Sequence, residues 1–166
     1  FFDLPTLAMG ISLVILSGIF LFLDLSRKRF ASLNHHFLII FRPLLRKSET
    51  QTINGSTYFM LGALFVIVLF PADIATVSIL YLAFGDAMAG LIGMRFGRTH
   101  FLSKTKTVEG SLACFVVCVV CGLFFFTPHD ALVGAMIATV SERIPLPISD
   151  NVQIPILSAI GLQLIL

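Results

Sequence analysis

Asp86 stands inside an apolar run, Ile74 to Phe96, where an ionised carboxylate without a partner costs several kcal/mol. It must face protein, a polar cavity or a cation. Gly90, Gly93 and Gly97 follow it at +4, +7 and +11, so on a helix they share its face and leave a bare backbone groove beside one carboxylate. Small-residue packing is the other use of such glycines, and Gly85, Ala89, Gly93 and Gly97 at steps of four would suit it. The two uses fit on neighbouring faces, but packing does not require an acid. Arg95, Arg98, Lys104 and Lys106 follow at the mouth of the groove. Then comes Thr107-Val-Glu109-Gly110-Ser111, which predicts a helix start with unpaired N–H groups. A helix start with Gly, Ser and adjacent Lys suits phosphate oxygens. A carboxylate at the same point implies either a divalent cation between it and the phosphates or a salt bridge to Lys. Plainer uses exist too: topology anchors for the basic residues, and a dipole-favoured first-turn acid for Glu109.

Further along, Asp150-Asn151 opens the last apolar run behind the rigid link Pro145-Leu-Pro-Ile-Ser. The pair reads as an N-cap or as two oxygen donors for Mg2+. Glu142 either pairs with Arg143 or closes the same site, and Arg46 and Glu49 are placed to pair at i, i+3. Cys114, Cys118 and Cys121 share a helical face and read as small packing residues rather than metal ligands. His35 and His36 lack a partner motif and read as interfacial. No Walker A, HExxH or G-x-S-x-G pattern is present. The residues alone thus point to a carboxylate, glycine and lysine site suited to Mg2+-phosphate chemistry on a lipid.

The elements that must position these residues follow from composition. Of 166 residues, 57% are hydrophobic and 12% charged, with mean hydropathy +1.00, against roughly 25% charged in soluble domains. Continuous apolar runs rather than alternating ones exclude a barrel and predict an all-α, polytopic transmembrane bundle forming one domain, 1–166. Six spans are expected: Leu4–Leu23, Tyr58–Phe70 extended back to Gly55, Ile74–Phe96, Glu109–Phe126, Ala131–Ile144 and Val152–Leu166. Between the first two, Asp24 to Glu49 has apolar residues at steps of three and four among Arg27, Lys28, Arg29, Arg42, Arg46 and Lys47, which predicts a basic amphipathic helix at a membrane surface, broken near Pro43. Thr52–Thr57 is a turn marked by Asn54-Gly55.

All 11 Lys and Arg fall within Arg27–Lys47, Arg95–Lys106 and Arg143, which six crossings place on one side. By the positive-inside rule that side is cytoplasmic, in a bacterial inner membrane or the endoplasmic reticulum, with both termini outside. A net charge of +2 gives no argument for nucleic acid, and self-association is left open. The chain opens Phe-Phe-Asp without an initiator Met, consistent with removal of upstream residues, and shows no signal-peptide pattern.

At these residues the chain resembles the CTP-dependent lipid kinases, which include dolichol kinase, phytol kinase and a CTP-using diacylglycerol kinase. The resemblance lies in Gly85-Asp86-x-x-Ala89-x-x-x-Gly93-x-x-x-Gly97, then Lys104-Thr-Lys106-Thr-Val-Glu109-Gly110-Ser111, then Asp150-Asn151-x-x-x-Pro155. Asp24-x-x-Arg27, Arg46-x-x-Glu49 and Asn54-Gly55 match less specifically. The family often begins with a further helix carrying Arg-Lys-x-x-His, which is absent here, and its basic pair is split in this chain. The related phosphatidate cytidylyltransferases share the first two elements but end in a Gly-His-Gly-Gly and Asp-Arg signature that this chain lacks.

The resemblance implies transfer of the γ-phosphate of CTP to the hydroxyl of a membrane lipid alcohol, polyprenol, dolichol or diacylglycerol. It implies Asp86, Glu109 and Asp150 as catalytic and, with Asn151, Mg2+-binding residues. Lys104, Lys106 and Arg98 would neutralise the triphosphate, with Gly93, Gly97, Gly110 and Ser111 beside it and Arg46, Glu49, Asn54 and Glu142 in support. The alternatives are a CTP:phosphatidate cytidylyltransferase and, third, a non-catalytic bundle or ion transporter using Asp86.

Overall fold

A computed structural model of the chain describes residues 4–41, 53–100, 106–144 and 146–166, and for residues 4–10, 40 and 41 the backbone alone. The described residues are all helical apart from connections and one isolated bridge between His100 and Thr107. They form α1 (Leu4–Arg29), α2 (Ala31–Phe41), α3 (Gly55–Leu69), α4 (Ala72–Leu80), a π-helical turn (Tyr81–Asp86), α5 (Ala87–Phe96), α6 (Val108–Leu123), α7 (Pro128–Arg143) and α8 (Asp150–Ile165). Each expected span corresponds to a helix, with ends shifted by a few residues. Among the described residues, one helix is long and apolar enough to cross a membrane, the continuous Ala72–Phe96 of 25 residues. Gly55–Leu69 and Val108–Leu123 are apolar but shorter.

The chain divides into two compact units at Leu64/Phe65, within α3. In the first, α1 runs to Arg29 rather than ending at Leu23. Its last turns are held by polar contacts. Asp24 Oδ1 accepts from Arg27 Nε at 2.6 Å, while Oδ2 accepts from the Asn54 amide at 2.9 Å and the Thr57 hydroxyl at 2.5 Å. Both members of this ion pair are buried, and the Arg27 guanidinium lies 4.5 Å from the centre of the Phe37 ring on α2. Asn54 thereby joins the end of α1 to the start of α3. The amphipathic helix is described only as α2; Arg42, Arg46, Lys47 and Glu49 lie outside the described residues.

In the second unit α6 packs between α5 and α7, and α7 packs on α8. The core is made largely of small side chains, among them Ala89, Cys114, Cys118, Ala135, Ala138 and Ala159, together with Tyr81 and Leu162. Small residues let apolar helices approach closely. The cysteines serve as packing residues: a Cβ on Gly85 would lie 2.6 Å from Cys118 Sγ and 3.2 Å from Cys114 Sγ. Gly110 marks the tightest approach of α6 to α5, since a Cβ there would come 2.6 Å from the Ala89 carbonyl oxygen. Gly90 differs, with nothing among the described residues within 4 Å of such a Cβ. Gly110→Ala should therefore cost about 1–3 kcal/mol through overpacking, read as a lower melting temperature in detergent. Gly90→Ala should leave that temperature nearly unchanged.

Outward faces are strongly apolar: Met94, Phe124 and Leu164 are each at least 80% exposed. At the end of the unit away from Lys106, Thr127 caps α7. Its hydroxyl donates to Asp130 Oδ2 at 2.6 Å and accepts from the Asp130 amide at 3.4 Å. That bond, with His129, holds the Asp130 carboxyl below its usual range.

Candidate functional site

The ends of α6, α7 and α8 meet at one polar cluster. Lys106, two residues before α6, reaches across to both neighbours. Its Nζ lies 3.0 Å from Asp150 Oδ2 and 3.4 Å from Glu142 Oε1, and it donates to the Glu142 carbonyl. Glu142 Oε2 is 3.4 Å from the Ser111 hydroxyl, which also lies 3.2 Å from the Thr107 carbonyl and accepts from Arg143 Nη1 at 2.8 Å. The Glu142 side chain is 6% exposed and that of Asp150 36%. Glu142 is thus the pivot: a buried carboxylate touching both Lys106 and Ser111.

The termini are shaped by local chemistry. Thr107 caps α6, its Oγ1 accepting from the Gly110 amide at 3.2 Å, while the Val108 amide donates to the Thr99 carbonyl at 2.9 Å. The Glu109 carboxylate accepts from the Thr99 amide at 3.2 and 3.3 Å. The expectation of unpaired N–H groups at this helix start is therefore corrected for Val108 and Gly110. Thr107 and the returning Gly97–Thr99 strand of chain have taken those donors, because the link folds back onto α6. Ser149, rather than Asp150, occupies the N-cap position of α8, with no side-chain capping bond, so the Asp150 carboxylate is turned to Lys106. Gln153, one turn further on, donates through Nε2 to the Ser141 and Ile144 carbonyls at 2.5 and 3.0 Å, and its buried Oε1 has no partner among the described residues.

Asp86 ends the π-helical turn, an element that recurs at functional positions because it rotates the following residue out of α-helical register. The preceding residue, Gly85, packs on Cys114 and Cys118 of α6. Gly93 and Gly97 pack on Thr107: a Cβ on Gly93 would lie 3.0 Å from Thr107 Oγ1, and one on Gly97 2.7 Å from it. The expected bare groove is therefore corrected at Gly93 and Gly97, which serve helix packing, and Gly90 is exposed. Arg98 is exposed, and Asn151 is half-buried in the first turn of α8. Lys104, Arg46 and Glu49 lie outside the described residues.

Thus Lys106, Glu142, Asp150 and Ser111 are brought together, while Glu109 turns to the Gly97–Thr99 link and Asp86 stands at the end of the π-helical turn. Among the described residues no three His, Cys, Asp or Glu side chains converge on a metal position. Two carboxylates do flank one cation, the Lys106 ammonium, and Mg2+ bound with a nucleotide needs only one or two carboxylates beside the phosphates. The donor set fits such an ion. Sequence reasoning missed Thr107 as cap and Gln153 as a clamp on the end of α7; the Thr-x-x-Gly spacing was a signal for the first, and nothing local marks the second. It also weighed Arg143 only as a partner of Glu142, whereas the guanidinium reaches Ser111.

The chain is 33% identical to CTP-dependent diacylglycerol kinase 1 of Eremothecium gossypii over 174 residues, which cover 88% of this chain and 55% of that one. It is 30% identical to the protein of the same name from Schizosaccharomyces pombe, covering 86% of this chain and 74% of the relative. For the Saccharomyces cerevisiae protein of that name the identity is 29%, covering 87% and 59%. The chain thus spans between about half and three quarters of these relatives. No protein-family model and no solved structure matches it.

Proposed function

The chain belongs to the CTP-dependent lipid kinase family, and from that premise we propose that it transfers the γ-phosphate of CTP to the hydroxyl of diacylglycerol in a membrane. The observation that carries this reading is the meeting of Lys106, Glu142, Asp150 and Ser111 at three helix ends. Phosphoryl transfer asks a protein chiefly for positioning and charge neutralisation. Lys106 neutralises the triphosphate, exchanging its carboxylates for phosphate oxygens. Asp86, Asp150 and Asn151 would hold Mg2+, which supplies further neutralisation between nucleotide and protein. Glu109 holds the Gly97–Thr99 link, and so the mouth of the groove, in place. The lipid hydroxyl oxygen bonds to the γ-phosphorus as the bond to the β,γ-bridging oxygen breaks. CDP leaves, and the hydroxyl proton passes to the carboxylate of Asp86 or Asp150.

Exposed apolar side chains on α1, α3, α5, α6, α7 and α8 favour a polytopic bundle of six spans, with the lipid entering sideways between helices. Arg95, Arg98, Lys106 and Arg143 lie at the same end of the second unit as the cluster, which favours a cytoplasmic site by the positive-inside rule. The test is to incubate the purified protein in mixed micelles with CTP labelled at the γ or the α phosphate. Diacylglycerol, polyprenol or phytol is supplied in turn. The expected outcome is diacylglycerol labelled from the γ position alone. Label from the α position would establish cytidylyl transfer instead. Label on polyprenol alone would change the substrate, and no labelled lipid at all would favour a non-catalytic bundle.

A further inference from the structure

We propose that Arg143 is a nucleotide-binding residue, whose guanidinium grips the same phosphate that Ser111 touches; this rests on the kinase reading above. The capped start of α6 carries the argument. The Gly110 amide is held by Thr107 Oγ1 and the Val108 amide by the Thr99 carbonyl, so those N–H groups do not receive an anion without breaking the cap. Recognition of phosphate at this end of α6 therefore falls to side chains, and two cationic ones reach it from the described residues. One is Lys106, held by Glu142 and Asp150. The other is Arg143, whose Nη1 lies 2.8 Å from Ser111 Oγ. A phosphate oxygen that accepts from the Ser111 hydroxyl is within reach of that guanidinium as well.

Residue type supports the assignment. A guanidinium is a rigid planar fork that matches two phosphate oxygens at once, whereas an ammonium acts as a point charge. Glu142 adjoins Lys106 through one carboxylate oxygen and Ser111 through the other. Lys106 thus meets the buried acid directly and Arg143 is joined to it through Ser111, so both cations border the same carboxylate. An arginine in the last turn of α7 also answers the negative end of that helix. This simpler role predicts a loss of stability without a change in nucleotide affinity, and the two roles separate by experiment.

The steady-state KM for CTP would be measured at saturating diacylglycerol, and that for diacylglycerol at saturating CTP. Wild type, Arg143→Gln, Arg143→Lys and Lys28→Gln would be compared, with melting temperatures in detergent. Lys28 is an exposed cation on α1 and controls for loss of one positive charge. Arg143→Gln is expected to raise the CTP KM about 10- to 100-fold, the weight of a charge-assisted hydrogen bond or two, with the lipid KM within about twofold. Arg143→Lys should recover part of the loss, and Lys28→Gln should leave both constants unchanged. An unchanged CTP KM in Arg143→Gln, or an equal rise in both constants, overturns the proposal. Should Arg143→Gln not fold, Arg143→Lys decides: it keeps the charge but not the fork, and an unaltered CTP KM refutes the assignment. If wild type shows no turnover of CTP, the kinase reading fails. Equilibrium binding of labelled CTP then tests Arg143 separately, weaker binding by Arg143→Gln supporting the assignment and equal or absent binding overturning it.

Discussion

Asp86→Asn is expected to lower turnover by roughly 10³-fold or more while leaving the purified protein folded, the scale seen when a preorganised electrostatic contact to the reacting group is lost. The substitution keeps the shape of the side chain and removes its charge. In the apolar stretch that holds Asp86, a neutral amide is less costly than a carboxylate, so the melting temperature should hold or rise. That divergence is diagnostic. A residue kept for packing would show the reverse, with stability lost and activity kept. The checks are initial rates with γ-labelled CTP and a melting curve on the same detergent-purified sample. Activity within tenfold of wild type would remove Asp86 from the site.

Lys106→Met should abolish activity and also destabilise the protein. Methionine keeps an apolar stem of similar reach, but the change strands Glu142, whose side chain is 6% exposed, beside Asp150 at 36%. Removing one partner of a buried pair costs about 3–5 kcal/mol. The half-exposed Asp150 contact adds little, since exposed pairs contribute roughly 0–1 kcal/mol. The double variant Lys106→Met/Glu142→Gln should recover much of the lost stability, because no buried charge is then left alone. It should not recover activity, because the cation for the triphosphate is still missing. Melting temperatures for the two single variants and the double, alongside phosphorylation rates, close the cycle. Restored activity in the double variant would show that Lys106 matters only as a counter-ion to Glu142.

The two cases illustrate what could be read along the chain. Asp86 was legible because its chemistry contradicts its surroundings: an acid in an apolar run needs a reason, and the following glycines at helical spacing supplied a groove. Lys106 and Asp150 were legible as types in suggestive places, one at the mouth of the groove and one before a helix. That the two touch was not legible, since 44 residues separate them and α7 intervenes. Glu142 looked secondary because its neighbour in sequence, Arg143, offered an obvious partner. In the fold the acid turns to Lys106 and Ser111, and the arginine reaches Ser111 as well. Glu109 shows the same limit. Its place in a motif suggested a metal ligand, whereas its carboxylate binds the Thr99 amide, a contact set by how the Gly97–Thr99 link returns to α6.

From the sequence alone, the class of fold and the kind of chemistry were determined. Apolar runs without alternation leave a backbone no choice but helix, and the three ordered motifs carry the family. The extent of each helix was approximate, because caps such as Thr107 and ties such as Asp24 to Asn54 and Thr57 extend or end helices through contacts that periodicity does not record. Only tertiary structure decided which of the candidate residues meet. Helix ends converge by packing of small side chains, and that packing sets which charges meet. It set Glu142 against Lys106 and Ser111, gave Arg143 to Ser111, and used Gly93, Gly97 and Gly110 to bring two helices together.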